Sequence, residues 1–90
     1  MHTITMPVIS TCHITAATDR ILQDQGDQNP WTYVAPYSEG AFMYIQSEDL
    51  EGLPADLIDI SAWARKHGYQ WVRIDADGDV VDQLPSYEWT

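Results

Sequence analysis

The sequence predicts an α+β fold, a two-layer sandwich in the order β-α-β-β-α-β-β, with a mainly antiparallel sheet and both helices on one face. Three observations predict it. Residues 16–25 and 54–67 carry apolar positions at helical spacing between recognisable caps. Residues 4–12, 31–35, 41–45 and 70–74 are rich in β-branched and aromatic types. Asp77-Gly78 lies between two short apolar runs, 70–74 and 80–81. Asp-Gly in that setting signals a hairpin, because a type I′ turn needs φ > 0 at both central residues.

The first strand spans residues 4–12, and Pro7, which lacks an N–H, places it at an edge or starts it after the proline. Thr15 is a suitable N-cap for the first helix, Ala16 to Gln25, and Gly26 a suitable C′ residue. Ile14, Thr18, Ile21, Leu22 and Gln25 lie near one face of that helix. After a polar loop, 27–30, two strands at 31–35 and 41–45 are joined by a five-residue turn containing Pro36 and Gly40. Neither face of these strands is strongly polar, so both are expected to be partly covered. An acidic loop, 47–52, leads to the second helix, Pro54 to His67. Pro54 suits its N1 position, Asp56 its first turn, and Arg65, Lys66 and His67 its last turn, with Gly68 as C′. Leu53, Leu57, Ile60, Ala64 and the edge of His67 form its core stripe.

The expected hairpin closes the domain. Its register sets Ile74 opposite Val81 and Arg73 opposite Asp82, and gathers Asp75, Asp77, Asp79 and Asp82 around the tip. Residues 84–89 make a tail anchored by Tyr87 and Trp89. Trp71, Phe42 and Ile60 are expected in the core, and Trp63, Tyr37 and Trp89 are expected to be partly exposed. Strand order is left open. If the first two strands are neighbours, their crossover is right-handed.

Residues 1–90 read as one small acidic domain. Fourteen carboxylates oppose four cations, for a net charge of −10. That balance argues against direct nucleic-acid or anionic-membrane binding, since phosphate contact depends on Lys and Arg. It leaves two readings: solubility through self-repulsion, or complementarity to a basic partner. Residues 1–15 show no secretory signal, and no apolar run approaches the ~18 residues of a membrane span. A cytoplasmic protein is expected.

No motif implies a cofactor or metal. Cys12 and His13 are adjacent, and neighbouring strand residues point to opposite faces, so a nucleophile-base pair is not expected there. Cys12 is expected to be a small buried apolar residue, and His13 to hydrogen-bond a nearby backbone group or carboxylate. The run from Asp75 to Asp82 starts like a calcium loop, but the positions requiring glycine and a bidentate glutamate hold Val80 and Ser86. The three histidines and one cysteine form no paired zinc spacing.

Residues 9–15 together with 77–85, closed by Trp89, resemble an uncharacterised family, a domain of unknown function, of short proteins carried by bacterial plasmids, integrative islands and phages. The resemblance spans most of the chain and transfers no catalytic residue. It implies an accessory gene of a mobile element, of the kind found near antirestriction functions. Charge and implied context lead to one expectation, a non-enzymatic inhibitor of a restriction or CRISPR effector. The partner is a basic nucleic-acid-binding protein of the bacterial host. Glu48, Asp49, Glu51, Asp56, Asp59, Asp75, Asp77 and Asp79 would supply the carboxylates, and Trp63 an aromatic anchor. The alternatives are a small structural or regulatory subunit, dimeric in one form, that serves the element's own maintenance, and an enzyme using His13 or a carboxylate pair.

Overall fold

A computed structural model describes residues 1–89 of the chain. Strand β1 (Val8–Ser10) is followed by a single 3-10 turn and helix α1 (Ala16–Gln25). Strands β2 (Val34–Tyr37) and β3 (Gly40–Tyr44) form a hairpin, and helix α2 (Ala55–Lys66) leads to strand β4 (Trp71–Asp75). One four-stranded sheet has the order β1-β4-β3-β2. Its β4–β3 and β3–β2 pairs are antiparallel, and its β1–β4 pair is parallel. The fold is therefore α+β with a mixed sheet.

Caps explain where the helices start and stop. Thr15 Oγ1 accepts from the Thr18 N–H at 3.2 Å, and Gly26, at φ 51°, ends α1. Gly68 takes φ 79°, and the N–H groups of Gly68 and Tyr69 donate back to Arg65 and Ala64 at 3.1 and 2.9 Å. That pair of bonds is a Schellman motif, which satisfies carbonyls at the end of α2. Pro54 stands one position earlier than expected, as the N-cap. The β2–β3 turn is tighter than expected, because the ladder runs on to Tyr37 and Gly40 and leaves Ser38 and Glu39 as its tip.

Pleat alternation sorts the sheet into two faces. Ile9, Val34, Ala41, Met43, Val72 and Ile74 share one face and pack with Leu22 of α1 and Leu57, Ile60 and Ala64 of α2. Both helices thus cover the same face. Tyr33, Tyr37, Phe42, Tyr44, Trp71 and Arg73 project from the other. Trp71 and Phe42 are consequently outside the core, contrary to expectation, and are half-buried on the helix-free face; Ile60 is buried as expected.

The Asp77-Gly78 hairpin does not form, and among the described residues no fifth strand pairs with β4. Both edges of β4 are occupied, by β1 on one side and β3 on the other. The chain crosses instead to the free edge of β1. There Asp79 exchanges backbone bonds with Val8 and Ser10, at 3.0 and 2.8 Å. Gly78 is not among the glycines with positive φ. Its value lies in clearance: a Cβ there would meet the Ile9 carbonyl oxygen at 2.3 Å. Residues 80–89 then run as a strap over the 3-10 turn, with Leu84 buried and the Tyr87 N–H donating to the Cys12 carbonyl at 2.7 Å.

Candidate functional site

Eleven of the fourteen carboxylates are exposed, Asp19 is half-buried, and Asp56 and Asp75 are buried. Glu48, Asp49 and Glu51 lie on the exposed loop before α2, where Asp49 meets Arg65 at 3.0 Å. Asp59 is exposed on α2, and Asp77 and Asp79 are exposed on the segment that follows β4. With no hairpin to gather them, Asp77 and Asp79 are held by the crossing from β4 to the edge of β1.

Asp56 and Asp75 do not fit the surface role expected of them, because their oxygens are engaged inside the chain. Asp56 accepts from the Thr15 N–H at 2.8 Å and from the Leu57 N–H at 2.9 Å, tying the N-termini of the two helices together. Asp75 accepts from the Tyr37 hydroxyl, from the Asp77 N–H at 2.7 Å and from Arg73 at 3.2 Å. Arg73 Nε also donates to the Tyr37 oxygen at 2.7 Å. The Tyr37 hydroxyl bond, seconded by the Asp77 N–H, holds the Asp75 carboxyl below its usual range. Desolvation raises the Tyr37 phenol. The triad is therefore a carboxylate, a neutral phenol and a guanidinium, each satisfied by the others.

The triad stands at one end of an aromatic strip. Arg73 lies 5.2 Å from the Tyr37 ring centroid and 5.5 Å from that of Phe42. Tyr37 and Phe42 are 5.3 Å apart, Tyr33 and Tyr44 5.8 Å, and Tyr44 and Trp71 5.2 Å in an edge-on contact. Tyr33 is 61% exposed. Sequence reasoning did not group these aromatic residues on one sheet face, although one signal pointed to it. By the alternation of β2 and β3, Tyr37, Phe42 and Tyr44 fall on one face, with Tyr33 just ahead of β2 paired to Tyr44, while Val34, Ala41 and Met43 fall on the other.

Trp63 is half-buried and stacks with His67 and Tyr69 at 5.3 and 5.8 Å. Together with Asp59, Lys66 and Pro85 it lines a cleft of about 460 Å³ between α2 and the strap. His13 is 1% exposed, and Cys12 is half-buried. The His13 Nε2 accepts from the Val81 N–H at 2.9 Å, so the Nδ1–H donates to the Pro85 carbonyl at 2.8 Å. Both ring nitrogens are thus bonded to backbone, as expected from the sequence. Among the described residues, no group of three or more His, Cys, Asp or Glu side chains is placed to hold a metal ion. No helix among them is long and apolar enough to cross a membrane.

Comparison with curated proteins and with solved structures gives no match. Residues 6–89 match the C-terminal domain of a family of unknown function, DUF5983. That match covers nearly the whole chain, from Met6 ahead of β1 to Trp89 at the end of the strap, and the chain belongs to this family.

Proposed function

We propose that the protein is a non-enzymatic accessory protein of a mobile genetic element. It inhibits a host restriction or CRISPR effector by covering that effector's basic nucleic-acid-binding surface. One observation carries this reading, the surplus of free surface carboxylate. Eleven acidic side chains face solvent, while two of the four cations, Arg65 and Arg73, are already paired with Asp49 and Asp75. A field of that sign speeds association with a cationic groove and repels competing nucleic acid. A non-enzymatic role accords with the groups best suited to proton transfer, since His13 is bonded at both nitrogens and Tyr37 sits between Arg73 and Asp75.

The test is expression in otherwise identical bacterial hosts with and without an active defence system. Phage plating or plasmid establishment rises only in the defended host if the inhibitor reading holds. An equal effect in both hosts contradicts it and favours a role in the element's own maintenance.

A further inference from the structure

We infer that the helix-free face of the sheet is the docking surface for an arginine-bearing segment of the basic partner. This rests on the reading above and specifies which surface does the work. The helix-free face carries five aromatic rings, Tyr33 exposed and Tyr37, Phe42, Tyr44 and Trp71 half-buried, a composition in which binding surfaces occur. Arg73 already shows how the face receives a guanidinium, lying over Tyr37 and Phe42 at 5.2 and 5.5 Å. Among the described residues no cation lies over Tyr33, Tyr44 or Trp71, the other half of the strip.

Charge selects the occupant. Acidic groups stand at one end of the strip, on a chain whose net charge is −10. Glu39 and Asp77 flank the Tyr37–Asp75 end, where the Ala76 N–H donates to the Glu39 carbonyl at 2.9 Å. A segment carrying arginines would set its guanidinium planes on the rings and its remaining charge beside the carboxylates. Aromatic sheet faces also stack single-stranded bases, but such sites track the phosphates with cations. Arg73 is the one cation on this face among the described residues, and Asp75 neutralises it. A second copy would bring another net charge of −10 against the first.

The test titrates the full chain with a hexa-arginine and a hexa-lysine peptide at low and at physiological salt, read by amide NMR shifts. The proposal expects shifts concentrated on residues 33–44 and 71–73, and several-fold tighter binding of hexa-arginine. Substituting Tyr44→Ser and Trp71→Ser together leaves the net charge unchanged and should weaken hexa-arginine binding by about tenfold. Tyr33→Ser, at an exposed position, should weaken it by about threefold and serves if the double variant fails to fold.

Undiminished binding by these variants, with loss on charge reversal of Glu48, Asp49 and Glu51, overturns the docking face but keeps the charge-based reading. Absence of salt-sensitive binding to either peptide overturns both. A reversible dimer abolished by Trp71→Ser, or tight binding of oligo-uridine, assigns the face to another occupant and also overturns the proposal.

Discussion

The Val81 N–H donates to His13 Nε2 at 2.9 Å, joining two residues 68 positions apart in a bond that fastens the C-terminal strap to the 3-10 turn after β1. The same ring donates to the Pro85 carbonyl, so one imidazole holds the strap at two points. The strap returns the favour through Trp89 Nε1, which donates to the Ile14 carbonyl at 2.9 Å. His13→Ala leaves two backbone groups without their partner and opens space beside Ile14. Loss of about 1–3 kcal/mol of stability is expected in a denaturant melt, because an unsatisfied buried group costs its desolvation. A change below about 0.5 kcal/mol, the range of ordinary surface substitutions, would contradict the strap's dependence on His13.

Asp56 links the two helices through Thr15 and Leu57. Asp56→Ala should cost about 1–3 kcal/mol, and Asp56→Asn less, since the amide keeps one acceptor oxygen. Neither change should weaken partner binding in the fraction that remains folded, because the side chain is 3% exposed. Affinity loss at full folding would return Asp56 to the binding surface.

Two glycines are required by close approach of strands. A Cβ at Gly40 would lie 1.8 Å from the Ile74 carbonyl oxygen, and one at Gly78 would lie 2.3 Å from that of Ile9. Each Gly→Ala variant should lose about 1–3 kcal/mol, the usual cost of overpacking. A Gly78→Ala protein as stable as the parent in thermal melting would mean that the crossing to β1 is looser than described.

Acid should weaken the sheet end at Asp75. The Tyr37 hydroxyl and Asp77 N–H bonds lower its folded pKa below the unfolded value of about 3.9. Its contribution is therefore complete above that value and is lost as pH falls through the folded pKa. Asp19 acts in the opposite sense, because desolvation raises its pKa and protonation relieves the cost. Asp75→Asn should flatten the acid limb of a stability–pH curve measured below about pH 4. Tyr37→Phe should shift that limb upward by removing the largest cause of the depression. Unchanged acid limbs in both variants would contradict the triad.

The sequence made local structure legible where local chemistry decides it. Thr15, Gly26 and Gly68 mark helix ends through their own hydroxyl or backbone freedom, and the observed helices follow them. The end of the chain was misread because Asp77-Gly78 has a strong local preference, while the competing β1–β4 pairing joins residues about 65 apart. The aromatic face was obscured because Tyr, Phe and Trp count as apolar in a periodicity pattern, so the alternation in β2 and β3 looked like burial on both sides. Asp56 read as a first-turn acid; its bond to Thr15 spans 41 residues and leaves no mark in local spacing.

Affinity for a purified restriction or CRISPR effector, measured from low to high salt, decides whether surface carboxylates carry the proposed function. The inhibitor reading predicts that the protein displaces nucleic acid from the effector at low salt and that affinity falls steeply as salt screens the pair. It also predicts further loss when Glu48, Asp49 and Glu51 are changed to lysine. Binding that is insensitive to salt and to those reversals would contradict it.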